Sequence, residues 1–324
     1  MTGTMKPMMA LKRQCAALAL ALLTAGMAQA QDKRDAAPAS ASAPAQEQTL
    51  TLPAAAEAAG GTGSVTFIGT ATVIIRYAGL TILTDPNFLH KGEHVHLGYG
   101  LTSERLTNPA MELDKLPPID LIVLSHLHGD HFDQLVQQKL KRDIPIVSTT
   151  DAVHGLGRFG FTRLHALKTW ETLTVKKGGA TLRISATPGR HGPPVLSGLL
   201  PEVMGSMLEF SNGERGGYRM YISGDTMVYD EIREISRRYP DIDLALLHLG
   251  GTRILGVMKV TMDGKDGVEM MQIIAPRHTI PIHYNDYDVF KSPLSDFEAA
   301  VNAAGLQGKV TYLKHGEAYE FKPR

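Results

Sequence analysis

Between Ser125 and His131 the chain reads Ser-His-Leu-His-Gly-Asp-His, which places imidazole or carboxylate groups at positions 126, 128, 130 and 131. This stretch directly follows Leu121–Ser125, an apolar run that predicts a buried strand. In an extended chain, residues two apart point the same way, so His126 and His128 can share one cation. Gly129 permits a turn. The chain then enters a helix, predicted over about Phe132–Lys141, whose first turn presents Asp130 and His131 to a second cation. Imidazole nitrogen and carboxylate oxygen are the donors expected for zinc and similar ions. Aspartate at a helix start also serves as an N-cap, and a single histidine is usually packed or solvated. Four such groups within six positions outweigh both plainer readings. In a chain with 13 histidines, a chance match is on the order of one in a thousand.

Four further segments carry candidates. Thr84-Asp85-Pro86 and Ser223-Gly224-Asp225-Thr226 each follow a predicted strand, where aspartate also makes turns. His191 lies in Thr187-Pro188-Gly189-Arg190-His191-Gly192, a stretch in which an exposed loop histidine would be ordinary, and His283 ends Pro281-Ile282-His283-Tyr284. His248 follows another apolar run and is placed facing the same site without binding metal. His90, His94 and His96 lie in a loop that either lines a substrate entrance or is simply solvated, and Trp170 reads as packing.

His126-x-His128-x-Asp130-His131 resembles the signature of the metallo-β-lactamase superfamily, and the other segments follow in that family's order over about Val65–Phe321. The resemblance implies two divalent metal ions, zinc first and manganese compatible with an all-nitrogen and oxygen donor set. One would be held by His126, His128 and His191, the other by Asp130, His131 and His283, with Asp225 shared between them. Asp85 would support a ligand histidine from outside. The implied activity is hydrolysis by a hydroxide held between the ions, with Asp130 and Asp225 as catalytic carboxylates. The chain looks most like the branch containing ascorbate-6-phosphate lactonases and N-acyl-phosphatidylethanolamine phospholipase D, through Thr84-Asp85-Pro86 and Ile280-Pro281-Ile282-His283-Tyr284. That pairing spans different bonds, so ester, lactone and phosphodiester stay open, with a small-molecule or lipid-like substrate expected. True β-lactamases of this fold lack the shared aspartate, and its oxygen-reducing di-iron members carry Glu where His128 stands.

The elements around these motifs fall into two groups. Strands are predicted at Val65–Gly69, Thr72–Tyr77, Leu80–Thr84, Leu121–Ser125 and Ile144–Ser148. A second set is predicted at Thr172–Val175, Thr181–Ala186, Ser206–Phe210, Arg219–Ser223, Leu244–Leu247, His278–Ile282 and Lys309–Leu313. Helices are expected near Tyr229–Arg238, Gly267–Ile274 and Leu294–Ala304. This pattern predicts an α/β fold in a single domain over 64–324, two sheets face to face with helices on both outer faces. Residues 31–63, rich in Ala, Pro, Ser, Gln and Gly, read as a flexible linker.

Residues 1–30 read as a cleaved export signal: Lys6, Lys12 and Arg13, an apolar Ala16–Met27, then Ala28-Gln29-Ala30. The apolar run is short for a membrane anchor, which needs about 20 residues. Cleavage would remove Cys15, the only cysteine, so no disulfide is possible and a periplasmic or secreted location is expected. The whole chain has a net charge of zero, and no nucleic-acid partner is expected. Two other readings use the same motifs: a nuclease, disfavoured by that charge, and a metal-binding protein without turnover.

Overall fold

A computed structural model describes residues 47–54, 61–98, 100–196, 198–213, 215–254 and 256–323. The export signal at 1–30 and most of the linker lie outside the described residues. The strands in chain order are β1 (Glu47–Leu52), β2 (Gly63–Gly69), β3 (Thr72–Tyr77), β4 (Leu80–Thr84), β5 (His94–His96) and β6 (Thr102–Glu104). Then come β7 (Leu121–Val123), β8 (Ile146–Ser148), β9 (Leu164–Ala166), β10 (Thr172–Lys177), β11 (Ala180–Thr187) and β12 (Gly205–Asn212). The last are β13 (Arg215–Ile222), β14 (Leu244–His248), β15 (Arg253–Ile254), β16 (Met258–Lys259), β17 (His278–Ile282) and β18 (Ala318–Phe321). The helices are α1 (Gln134–Lys139), α2 (Thr150–Arg158), α3 (Arg233–Arg238), α4 (Gly264–Ile274) and α5 (Leu294–Ala303).

Two seven-stranded sheets form, in the orders β18-β2-β3-β4-β7-β8-β9 and β1-β10-β11-β12-β13-β14-β17. Alternate residues of each point into one shared core: Val65, Phe67, Val73, Ile75 and Ile82 from the first meet Leu173, Leu182, Ile184, Leu208 and Ile280 from the second. The opposite pleat of the first sheet, with Ile74, Leu83 and Ile122, packs against Val136 of α1 and Leu156 of α2. That of the second, with Met207, Tyr221 and Leu247, packs against Ile235, Met271 and Phe297 of α3, α4 and α5. Each sheet is thus apolar on both faces, and only a helix layer on each outside removes that surface from water. The result is the four-layer α/β sandwich that the sequence predicts. Among the described residues, no helix is long and apolar enough to cross a membrane.

Strand direction positions the site. β4 and β7 run parallel in the first sheet. In the second, β13, β14 and β17 run parallel, and β11 shares their direction through antiparallel β12. The residues following β4, β7, β11, β13 and β17 therefore emerge at corresponding ends of the strands, where open α/β sheets bind ligands.

Three expectations are corrected. Glu47–Leu52, assigned to the linker, is an edge strand pairing in parallel with β10; its Leu50 and Leu52 alternate inward to join the core. Lys309–Leu313 makes only a single bridge, Val310 to Thr279, and the closing strand is β18, antiparallel to β2. Asp130 and His131 precede α1 rather than occupy its first turn. His131 and Phe132 both donate their N–H to His128 O, at 3.1 and 2.8 Å, and α1 begins where the Asp133 side chain accepts from Val136 N–H.

Candidate metal centre

The motif loop is held from both sides. Gly129 lies so close to the Val95 side chain and the His96 carbonyl that any Cβ would collide. Glycine is therefore required where the β5–β6 hairpin crosses the loop. Beyond β13, Gly224 has φ +61 and would carry its Cβ 2.6 Å from Met204 O, so the turn that delivers Asp225 is also restricted to glycine.

All seven predicted ligand residues are brought together, in two groups whose donor atoms lie within 4.8 Å of one another: His126, His128 and His191, and Asp130, His131, Asp225 and His283. All are buried except His128, which is half-buried. In the first group His128 Nδ1 lies 3.2 Å from His126 Nε2 and 3.3 Å from His191 Nε2. One ring nitrogen carries either a proton or a lone pair, so it cannot satisfy both neighbours as a hydrogen bond. The spacing fits a shared cation instead. Tetrahedral zinc with Zn–N near 2.0–2.1 Å separates its nitrogen ligands by about 3.3–3.4 Å. In the second group Asp130 Oδ1, His131 Nε2, Asp225 Oδ1 and His283 Nδ1 are buried without a hydrogen-bond partner. Such orphans are costly unless something else satisfies them.

Outer contacts fix which ring nitrogen faces inward. His191 Nδ1 lies 2.8 Å from Val260 O, so it carries the proton and leaves Nε2 as the donor toward His128. His131 Nδ1 is 3.0 Å from Asp85 Oδ2, turning its Nε2 toward Asp225 Oδ2 at 3.3 Å. Asp85 is itself pinned by the Ser125 backbone N–H at 2.6 Å and the Ser125 hydroxyl at 2.8 Å. His248 Nε2 approaches Asp85 Oδ2 at 3.5 Å, and its Nδ1 faces Ser223 Oγ at 3.2 Å. Asp85 and His248 thus stand beside His131, and the trio Asp85, His131 and His248 also clusters tightly enough to hold an ion.

The electrostatics separate the two groups. Burial, reinforced by neighbouring rings, pushes His126 well below the usual imidazole range and His128 down to about 4. Burial also lowers His191, against the pull of Asp225. These rings are neutral, with lone pairs available. Burial works to raise Asp130, but His131 and His283 outweigh it and hold the carboxyl at about 2. Burial opposes Asp225 likewise, and His283 and His131 hold it well below the carboxylate range. Two ionised carboxylates in a buried space call for positive charge. In this charge balance His131 answers it, driven well above its ordinary value by Asp225 and Asp130 despite burial.

His283 needs further support, because its φ of 60 is left-handed and disfavoured for any side chain with a Cβ. Its N–H donates to Thr70 O at 2.6 Å. Thr70 N–H donates in turn to Asp286 Oδ2 at 2.5 Å. Arg105, fully buried, donates to Thr70 Oγ1 at 2.6 Å and to Asn87 Oδ1. Tyr287 OH also donates to Asn87 Oδ1, at 3.0 Å, and His315 faces Asp286 at 3.3 Å. None of these residues is legible as functional from sequence, since each sits in a turn without periodicity. Asp286→Asn keeps the shape but removes the charge facing Arg105 and His315. It is expected to destabilise the fold by about 1–3 kcal/mol and to weaken metal binding at the His283 group more than at the His126 group. Urea midpoints and metal content on the same sample check this, and unchanged values in both would contradict it.

His90, His94 and His96 join neither group. His94 and His96 are exposed on β5, while Val95 between them is buried. His90 pairs with Glu112 at 2.9 Å. Trp170 packs, with the Arg238 guanidinium 4.2 Å above its ring.

Comparison with known proteins agrees with this geometry. The family model described as "Beta-lactamase superfamily domain" matches residues 81–284, a span containing every residue of both groups. A protein named as a metal-dependent hydrolase from Pelotomaculum thermopropionicum is 29% identical over 257 residues, covering 79% of this chain and 99% of the relative. Among solved structures, the isothiocyanate hydrolase from Delia radicum gut bacteria has a TM-score of 0.66 at 20% identity, covering 80% of this chain and 99% of its own. A possible metal-dependent hydrolase from Veillonella parvula has a TM-score of 0.66 at 21% identity, covering 79% and 98%. At those identities the two structures speak for the fold alone. With over half its length matched by the family model and the signature histidines and aspartates gathered at the strand ends, the chain belongs to the β-lactamase superfamily domain family.

Proposed function

We propose that this chain is an exported metal-dependent hydrolase that uses two divalent ions, zinc or manganese, to cleave an ester, lactone or phosphodiester. The observation that carries the proposal is the buried cluster of Asp130, His131, Asp225 and His283, with Asp130 Oδ1, Asp225 Oδ1 and His283 Nδ1 left without a hydrogen-bond partner, beside three neutral imidazoles of which His128 lies 3.2 and 3.3 Å from the other two. His126, His128 and His191 would hold one ion; Asp130, His131 and His283 the other, with Asp225 serving both. When bound, the ions supply Lewis acidity toward a carbonyl or phosphoryl oxygen and lower the pKa of a coordinated water toward neutrality.

The protein's part is to fix positions and protons. Val260 O and Asp85 hold the protons of His191 and His131 on Nδ1, so neither ring has to reorient when a ligand arrives. Asp130, held ionised, would offer one carboxyl oxygen to the ion and the other to the proton of an attacking water. Burial of both groups excludes bulk water and strengthens each of these interactions.

A matched panel of a simple ester, a lactone, a bis-aryl phosphodiester and a penicillin, assayed with zinc and with manganese, tests the reading. Turnover of at least one of the first three and little or none of the penicillin is expected, because the shared Asp225 departs from the true β-lactamases. Efficient penicillin cleavage, or no turnover in any class by the loaded protein, would count against it. The export reading predicts a mature chain beginning at Gln31; the intact mass of protein from the periplasm decides that, and retention of residues 1–30 would contradict it.

A further inference from the structure

Three candidate ligand rings are fixed by contacts outside the two groups. Ser125 Oγ lies 3.0 Å from His126 Nδ1, Asp85 Oδ2 lies 3.0 Å from His131 Nδ1, and Val260 O lies 2.8 Å from His191 Nδ1. His283 is different. Among the described residues its ring nitrogens face the carboxylates of its own group: Nε2 lies 3.3 Å from Asp130 Oδ2 and Nδ1 lies 3.5 Å from Asp225 Oδ1. The last torsion of a histidine side chain is broad. Two oxygens that would themselves turn toward an ion leave the angle of that ring open.

Packing supplies what hydrogen bonding does not. The Phe290 ring lies 4.3 Å from the His283 ring, centre to centre, tilted by 46°. A Cβ on Gly250 would sit 3.0 Å from Phe290 Cδ1 and 3.1 Å from His283 Nδ1, so Gly250 closes the corner between the two rings. Phe290 is itself seated. Its N–H donates to Tyr287 O at 3.1 Å, and its ring meets the Tyr287 ring edge-on at 5.7 Å. Val289 N–H donates to Ser103 Oγ at 3.2 Å and Asp288 N–H to Glu104 O at 3.1 Å, which fastens this segment to β6. The paired strand β5 carries Val95, whose side chain lies against Gly129 of the motif loop. Val95 and Tyr287 are buried in one small apolar cluster, with Phe290 packed on it. One hairpin therefore holds both the motif loop and the ring that faces His283.

We propose that Phe290 is a positioning residue for His283: its ring, seated by the β5–β6 hairpin and closed against Gly250, sets the angle at which the imidazole meets Asp130 and Asp225. It does by packing what outer hydrogen bonds do for His126, His131 and His191. Tilted aromatic pairs at this separation attract one another beyond their simple burial, and a close-packed corner admits one ring orientation where an open one admits several. The role rests on the two-ion reading above and adds to it a residue outside both groups. Its loss should loosen the grip of the Asp130, His131 and His283 group on an ion and leave the other group alone.

The test reads binding and ring order rather than turnover. In a zinc titration of the stripped full chain by calorimetry, Phe290→Ala should weaken the event that His131→Ala weakens by at least about tenfold, the loss typical of an outer partner of a ligand. The event that His191→Ala weakens should change little. Phe290→Tyr keeps the ring and, at a half-buried position, can place its hydroxyl in solvent, so it should keep both wild-type affinities. Gly250 has no left-handed φ, so Gly250→Ala tests space alone, and its Cβ should weaken the same event as Phe290→Ala. A second readout needs no metal. In stripped protein with ring-labelled histidine, His283 should give one sharp set of resonances in wild type and Phe290→Tyr, and a broadened or multiple set in Phe290→Ala. Two zinc events weakened equally in Phe290→Ala, with a lowered thermal midpoint, would show a role in the fold alone and overturn the proposal. So would an unchanged second event with a sharp His283 ring. Wild-type protein that takes up no zinc would refute the two-ion reading, and the ring resonances of the stripped protein would then decide the positioning of His283 by themselves.

Discussion

Replacing Asp225 with Asn is expected to lower turnover of the best substrate by at least about tenfold, equal to roughly 1.4 kcal/mol of barrier. It should also reduce occupancy of the His131/His283 site more than that of the His126/His128/His191 site. Asp225 Oδ2 lies 3.3 Å from His131 Nε2 and its Oδ1 lies 3.5 Å from His283 Nδ1. Its negative charge also acts on His126 and His191 in the other group. It is therefore the carboxylate placed to serve both groups. Asparagine keeps the size and one oxygen but removes the charge that would offset two divalent ions. Since Gly224 and Asp225 follow the end of β13 in a turn fixed by backbone contacts, the fold should persist. Steady-state rates and elemental analysis on paired samples measure both effects. An Asp225→Asn protein with unchanged rate and metal content would show that Asp225 does not serve both groups.

Metal removal is expected to have the larger effect. A protein stripped by chelator should lose hydrolysis by at least about a thousandfold, since none of its own groups replaces a Lewis acid or an activated water. Adding zinc or manganese should restore it. Stability should follow. An ion present at a thousandfold over its dissociation constant stabilises the folded state by about 4 kcal/mol. For a domain of this size that corresponds to a thermal midpoint lower by roughly 10 °C in the stripped protein. The buried donors on Asp130, Asp225 and His283 that lack partners give the structural reason. Without an ion, the like charges of the two carboxylates face each other in a buried space, offset only by the His131 and His283 rings. Undiminished activity after complete stripping would rule out metal-dependent hydrolysis at this centre.

The candidate site was largely legible because its signal is local. Ser125–His131 packs four ligand-type residues into one loop after a buried strand, and no tertiary information is needed to suspect it. Asp85, His191, Asp225 and His283 each have an ordinary turn or loop reading taken alone, and only their family order around the Ser125–His131 motif, at strand ends, singled them out. What sequence could not reveal is why those strand ends converge. That depends on β11, β13, β14 and β17 running in one direction in one sheet and β4 and β7 sharing a direction in the other. The supporting network was hidden for a different reason. Thr70 and Asp286 are bonded across 216 positions, and Arg105, Asn87 and Asp286 each look locally like ordinary turn residues. The same limit explains the edge strands. Glu47–Leu52 has its leucines alternating correctly, but it is embedded in a linker-like composition, and only its pairing with β10 identifies it.

The number of ions the folded chain takes up tests the two-group assignment most directly. Stripped, natively folded protein titrated with zinc and followed by calorimetry, with elemental analysis at the end point, should reach two ions per chain. His191→Ala should weaken one of the two binding events, and His131→Ala the other. A single event that both substitutions weaken equally, or a folded wild-type protein that takes up no zinc or manganese, would contradict the assignment of His126, His128 and His191 to one ion and Asp130, His131 and His283 to another.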